Sequence, residues 1–258
     1  MKLLLTNDDG FSADGIKTLA RHLSDAGHDV WIFAPDRNRS AASNRITMDK
    51  PLRIKEHGQR IYSCSGMPAD CVITALKSGI IGNGVDAVLS GINRGANIGT
   101  DILYSGTAAA ARQAVLYGVP GIAFSVRSSD GLWRYDAMAR FASSNLSSLI
   151  SLTHTANGDG TPDGLCIFVN VNGLSLDRYG GASFADEISF REYRDAVHVL
   201  AGPDGDRYSF FLRRRHRYAR RRYKRQCGMR KRLCRRLSHL CRSACGKRSG
   251  RHFVFGVR

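Results

Sequence analysis

The stretch Leu3-Leu4-Leu5-Thr6-Asn7-Asp8-Asp9-Gly10 decides how this chain reads. Three leucines make a short buried strand. Asn-Asp-Asp-Gly then stops it with turn chemistry. The apolar spacing of Ile16, Leu19, Ala20 and Leu23 predicts a helix from about Gly15. Strand, acidic turn and helix open a βαβ unit, and in such sheets ligands bind in the crevice beyond the carboxyl ends of the strands. Two adjacent carboxylates there are costly to keep ionised unless a cation lies between them. The same four residues are also good turn formers, so alone they serve either a turn or a metal site.

Working outward, the pattern repeats. A second strand is predicted over Asp29–Ala34, ending in the polar loop Pro35-Asp36-Arg37-Asn38-Arg39-Ser40. Ile46–Glu56, with Pro51 inside, reads as an edge strand or a break, and Ile61–Cys64 pairs with it as a hairpin. Pro68 sits well at the start of a helix whose apolar face is Val72, Ile73, Ala75, Leu76 and Ile80. A buried strand at Ala87–Ser90 ends in Gly91-Ile92-Asn93 and leads into a Gly- and Asn-rich loop over 91–105. Gly106-Thr107 opens an Ala-rich helix, Ala108–Leu116. A strand at Gly121–Val126, a helix at Tyr135–Leu152 and a strand at Leu165–Val171 complete the series. Strands alternating with helices predict an α/β fold, with a Rossmann-like, mostly parallel sheet flanked by helices. Short pieces at Glu187–Phe190, His198–Leu200 and Tyr208–Leu212 read as a smaller β-rich C-terminal extension. The expected division is a Rossmann-like catalytic domain over 1–171, a truncated extension over 172–212 and a basic tail over 213–258.

The formal charge of +17 belongs to that tail. It holds 19 of the 39 Lys and Arg and none of the 22 Asp and Glu, so residues 1–212 carry 20 basic against 22 acidic groups, a net of −2. Three scattered cysteines in the body (Cys64, Cys71, Cys166) give no disulfide framework. The apolar run after Lys2 is too short for a secretory signal. No stretch approaches the ~18 apolar residues of a membrane span. A cytoplasmic location is expected.

Four polar clusters follow predicted strands: Asn7-Asp8-Asp9, Asn38-Arg39-Ser40, Ser90-Gly91-Ile92-Asn93 and the 95–107 loop. Parallel neighbouring strands would bring all four to one edge. Asp8 and Asp9 would then supply charge to a divalent cation, with Ser40 and Asn93 as neutral oxygen donors. Mg²⁺ or Mn²⁺ suits such an all-oxygen set. Taken singly, Ser40 is also an ordinary turn hydroxyl and Asn93 a loop-capping amide. Ser105-Gly106-Thr107 at a helix start offers backbone N–H groups and hydroxyls to a phosphate, or serves as an N-cap. Asn97, Arg37 and Arg39 are further anion partners within reach of the same loops. Gly82-Asn83-Gly84 is followed by a strand, so it is no dinucleotide fingerprint. A phosphate loop and a Gly-x-Ser-x-Gly elbow are both lacking.

Taken together, Leu3–Gly10, Ala34-Pro35-Asp36-Arg37-Asn38-Arg39-Ser40, Gly66-Met67-Pro68-Ala69-Asp70-Cys71-Val72, Ser90-Gly91-Ile92-Asn93, Gly95, Asn97, Gly99 and Tyr104-Ser105-Gly106-Thr107-Ala108-Ala109-Ala110 resemble the SurE family of survival-protein nucleotidases. The resemblance is dense to about residue 126 and continues in outline to about Leu212. It implies a metal-dependent phosphatase that hydrolyses nucleoside 5′- and 3′-monophosphates. It implies one divalent cation per subunit, held at Asp8, Asp9, Ser40 and Asn93, and phosphate held around Asn97, Ser105, Gly106 and Thr107. It further implies a homo-oligomer built through the extension. Asp8 and Asp9 are the expected catalytic carboxylates, orienting or deprotonating a water, with direct carboxylate attack as the other route.

After Leu212 the resemblance stops. The Arg-rich run that follows reads as translation out of frame in a GC-rich gene. The functional alternative is a nucleic-acid-binding protein that uses this tail, attached to an inactive nucleotide-binding body.

Overall fold

In a computed structural model, the structure describes residues 1–153, 167–185, 189–193 and 195–212, with the strand backbones at 217–219 and 253–257. β1 (Lys2–Thr6) is central. It pairs in parallel with β2 (Asp29–Pro35) on one side and β5 (Ala87–Arg94) on the other. β2 continues to β4 (Ile61–Cys64) and antiparallel β3 (Ile54–Gly58). β5 continues to β6 (Gly121–Arg127) and β7 (Phe168–Leu174), both parallel. The chain thus winds one way from β1 and returns the other way from β5. The switch point lies between them, where such sheets open a ligand crevice. This is the expected Rossmann-like, mostly parallel sheet flanked by helices.

Alternation along β1 builds two cores. Leu3 and Leu5 face one side and Leu4 the other, because successive strand side chains point to opposite faces. On the first side they meet Ile16, Leu19 and Leu23 of α1 (Asp14–Asp25), with Met138 and Ala142 of α4 (Asp136–Ser144) and Leu149 of α5 (Leu146–Ser151). On the second, Leu4 packs with Phe33 and Val88 against Val72 and Ala75 of α2 (Pro68–Lys77) and Ala110 and Ala114 of α3 (Gly106–Leu116). Each fully buried leucine contributes about 1.5–3 kcal/mol. Small residues let α3 sit directly on the sheet: a Cβ at Gly121 would fall 1.9 Å from the Ala111 carbonyl oxygen.

Several element boundaries differ from those read in the sequence. The helix expected over 135–152 breaks at Asn145, whose side chain donates to the Phe141 carbonyl. Its N–H donates to the same carbonyl at 3.1 Å, and its φ of −116° turns the backbone out of the helical range. The strand expected from Ile46 begins at Ile54. Before it, Thr47 is held by Asp70 and Arg53 by Ser65, and Pro51 cannot donate to a ladder. β5 runs past Ser90 through Asn93 to Arg94, with a register shift between Ser90 and Asn93 and a cis Gly91–Ile92 peptide. β7 extends to Leu174, while the expected start at Leu165 lies outside the described residues.

Beyond β7, β8 (Ser183–Ala185) joins the main sheet through β13 (Phe253–Val257), which pairs antiparallel with β7. β9 (Phe190–Glu192) pairs with β12 (Arg217–Ala219), and β10 (Ala196–Ala201) with β11 (Arg207–Leu212), as small separate antiparallel sheets. Among the described residues no helix is long and apolar enough to cross a membrane. Cys227, Cys234, Cys241 and Cys245 lie outside the described residues.

Candidate active site

At the carboxyl end of β1 the Asn7 side chain clamps its own turn. Its Nδ2 donates to the Gly10 carbonyl at 2.8 Å, and its Oδ1 accepts from the Gly10 N–H at 3.0 Å. Gly10 holds φ +109°, a conformation glycine adopts without strain. The clamp presents Asp8 and Asp9 at the switch point.

Asp8 is 4% exposed. Its Oδ1 accepts from the Thr107 hydroxyl at 2.7 Å. Burial pushes its carboxyl up to about 6, against the Thr107 hydrogen bond that lowers it and with the Asp9 charge adding to the rise. A Cβ at Gly106 would lie 2.9 Å from the Asp8 Cβ, so this glycine lets α3 approach the carboxylate. The start of α3 is therefore shared: Ser105 caps Ala108 N–H at 3.0 Å, and Thr107 turns to Asp8. Ser105 and Thr107, two of the residues expected at a phosphate, are buried and bonded within the rim.

Asp9 accepts from the Arg94 N–H at 3.2 Å and from Asn38 Nδ2 at 3.4 Å. Burial also raises its carboxyl, offset by the Arg94 N–H and guanidinium. Asn38 bridges to Ser40, whose N–H donates to Asn38 Oδ1 at 2.9 Å. The Arg39 N–H donates to the Asp8 carbonyl at 2.6 Å, which fastens this loop to the rim. Asn93 directly precedes Arg94, and its amide nitrogen donates to the Gly95 carbonyl at 2.8 Å. Its amide oxygen is the end not used in that bond. Asp8, Asp9, Ser40 and Asn93 thus come from three parallel neighbouring strands to one rim.

Asn97 serves the loop as a hub. Its N–H donates to Asn172 Oδ1 at 2.8 Å and its Nδ2 to Ser125 Oγ at 3.0 Å. Its carbonyl accepts from Asn170 at 2.8 Å and Asn172 at 3.2 Å. Arg39 bonds Asp36 and the Ser65 carbonyl, so its charge is spent on its own loop, while Arg37 is exposed. The roles of Asn7, Asn38 and the Arg94 N–H were not read from the sequence. Asn7 three residues before Gly10 is a side-chain-to-backbone turn signal. Asn170 and Asn172, two apart on one strand face, gave a signal for the hub. Nothing local marks a backbone N–H.

The rim suits a hard cation. Among the described residues no group of three or more His, Cys, Asp or Glu side chains gathers. A cation here would rest on two carboxylates and neutral oxygens, the donor set of Mg²⁺ or Mn²⁺ rather than zinc. Burial holds both carboxyls above their ordinary range, the electrostatic cost that a bound cation would relieve.

Sheet order, switch point and acidic rim define a doubly wound α/β protein with an oxygen-donor site at its crevice. A family model described as Survival protein SurE matches residues 3–191. The chain belongs to the SurE family. It is 44% identical over 190 residues to the 5′-nucleotidase SurE of Treponema pallidum, covering 72% of this chain and 96% of that protein. It is 38% identical over 228 residues to the 5′-nucleotidase SurE of Aliivibrio fischeri, covering 84% of this chain and 86% of that one. A solved structure, the SurE protein from Aquifex aeolicus, superposes with a TM-score of 0.68 at 26% identity, covering 100% of this chain and 93% of that one.

Proposed function

We propose that this chain is a divalent-metal-dependent nucleotidase that hydrolyses nucleoside 5′-monophosphates, and 3′-monophosphates as well, to nucleoside and phosphate. The observation that carries the reading is the adjacent pair at the β1–β5 switch point: Asp8, buried and bonded to Thr107 at the start of α3, and the half-buried Asp9 beside it. The names of the relatives, 5′-nucleotidase SurE, support the 5′-nucleotidase part of this reading.

One Mg²⁺ or Mn²⁺ would be held by Asp8, Asp9, Ser40 and Asn93. When bound it supplies Lewis-acid polarisation of phosphoryl oxygens and neutralises developing charge. The protein's own part is positioning. Thr107 fixes Asp8, and Arg94 N–H with Asn38 fixes Asp9, so two carboxylates stand ready to orient an attacking water and take its proton. The α3 dipole favours negative charge at its N-terminus. A phosphoryl group lodged there, beside Ser105, Gly106 and Thr107, would share that field with Asp8, and the Asn97 hub would keep the loop in place.

Self-association through the extension belongs to the same reading. Val199, Leu200, Phe210 and Phe211 on the β10–β11 hairpin are 57%, 59%, 52% and 74% exposed. Val199 and Phe211 lie on one face of the hairpin and Leu200 and Phe210 on the other; exposed apolar residues on both faces mark a contact element, testable by sedimentation velocity.

The activity test is phosphate release from AMP and GMP with Mg²⁺ or Mn²⁺. EDTA should abolish it. Asp8→Asn and Asp9→Asn proteins should lose it while staying folded by circular dichroism. Full activity in either variant, or in EDTA, rejects the assignment.

A further inference from the structure

A cleft of about 650 Å³ opens beside the acidic rim, within the 300–1,000 Å³ range usual for small-molecule sites. Arg94 joins the two, since it lines the cleft and its N–H holds Asp9. Its guanidinium lies over the Trp133 ring, 5.0 Å from the centroid. Tyr135 lines the same cleft. Burial pushes its phenol upward. Asp14 and Thr18 of α1 complete the wall nearest the β1 turn.

The loop that carries Trp133 is held in place by its own bonds. Asp130 accepts from Ser128 at 2.8 Å, Leu132 N–H at 3.0 Å and Arg134 at 2.9 Å. Ser175 bridges Arg134 N–H and the Leu132 carbonyl at 2.7 and 2.8 Å, on either side of the indole. Such bracing holds an aromatic platform ready before any ligand arrives.

The charges around the cleft cancel. Arg94, Arg134 and Arg140 face Asp14, Asp136 and Asp177. Arg134 pairs with Asp130 and Asp177, and Arg140 donates to the Asp177 carbonyl. A balanced wall gives no field to draw in a second phosphate. A guanidinium stacked on an indole, by contrast, suits a flat π system. Carboxylates and the Thr18 hydroxyl suit the hydroxyl and amino groups of a sugar and a base.

We infer that this cleft is the nucleoside subsite, where the base stacks at the Arg94–Trp133 pair while the ester phosphate lies at the acidic rim. The assignment rests on the nucleotidase reading and deepens it. Substrates carrying an aromatic base are selected over baseless phosphomonoesters.

The chain has two tryptophans, so Trp31→Phe leaves Trp133 as the sole indole reporter. Adenosine and guanosine, titrated in EDTA, should change its emission saturably, with a Kd of about 1 mM or tighter, and tripolyphosphate should not. In the wild-type background, Trp133→Ala should lower the ratio of kcat/KM for AMP over ribose 5-phosphate about tenfold, the scale of one lost base stack. Trp133→Phe should keep most of the ratio. If Trp31→Phe does not fold, this ratio carries the test alone. An unchanged ratio in a folded Trp133→Ala protein refutes the subsite while leaving AMP hydrolysis intact. Saturable tripolyphosphate binding without nucleoside binding also overturns it, in favour of a phosphate site. Nucleoside binding at Trp133 in a protein that hydrolyses neither ester keeps the subsite and removes the nucleotidase reading.

Discussion

Replacing Asp8 by Asn should make the metal-free protein more stable while it abolishes activity. Asp8 is buried, and its carboxyl rises from 3.8 to about 6. A group raised in this way favours folding while protonated, and that benefit is lost as pH climbs through the folded value. At pH 7.5 the ionised side chain therefore costs about 3 kcal/mol, at about 1.4 kcal/mol per tenfold. Asn carries no charge and keeps an oxygen to accept from Thr107 Oγ1, now 2.7 Å away. Its added N–H₂ needs a partner, so the gain will fall below that ceiling. Urea denaturation in EDTA should show Asp8→Asn more stable by roughly 1–3 kcal/mol at pH 7.5. The gap should shrink through pH 6 and nearly close by pH 4. Mg²⁺ or Mn²⁺ at a hundredfold excess over Kd should offset most or all of the gap, because the wild type gains about 2.7 kcal/mol of binding energy that the variant lacks. A variant less stable than wild type in EDTA at pH 7.5, or a gap that does not move with pH, would refute the electrostatic account of the rim.

Other substitutions test the supports. Asn7→Ala removes two buried hydrogen bonds to Gly10 and should cost about 2 kcal/mol in chemical denaturation. Gly106→Ala puts a Cβ 2.9 Å from the Asp8 Cβ and 3.1 Å from the Pro68 ring. It should lower kcat on the order of 10²-fold by displacing the carboxylate, with a smaller change in KM for AMP. Asp101→Asn neutralises the largely buried pair that Arg191 makes with the Gly99–Leu103 turn, where Tyr193 also donates to Asp101. Loss of a charged hydrogen-bond partner there should cost about 1.5–3 kcal/mol, read as a lowered thermal midpoint.

The sequence carried the architecture because strand and turn signals are local. Leu3–Leu5 followed by Asn-Asp-Asp-Gly could hardly be anything but a strand end, and the parallel order followed from alternation with helices. Convergence of the polar loops was legible for the same reason, since each ends a parallel strand. The inner wiring was not. Thr107 reads as a phosphate donor beside a helix start, yet its hydroxyl goes to Asp8, a partner 99 positions away. Arg39 reads as an anion partner, but Asp36 and the Ser65 carbonyl take it. Such choices depend on distances between elements, which local pattern does not encode. The helix break at Asn145 was missed because helical periodicity runs through it unchanged, while the break is a backbone turn at this one residue, with φ −116°.

The loop after β5 has the composition of a flap, rich in glycine and short of bulky side chains. Four hydrogen bonds around Asn97 nonetheless stitch it to β6 and β7. Lifting it would break all four together, so substrate reaches a floor that is already assembled rather than one completed by closure. Loop-stiffening substitutions at 95–98 should then leave turnover nearly unmoved.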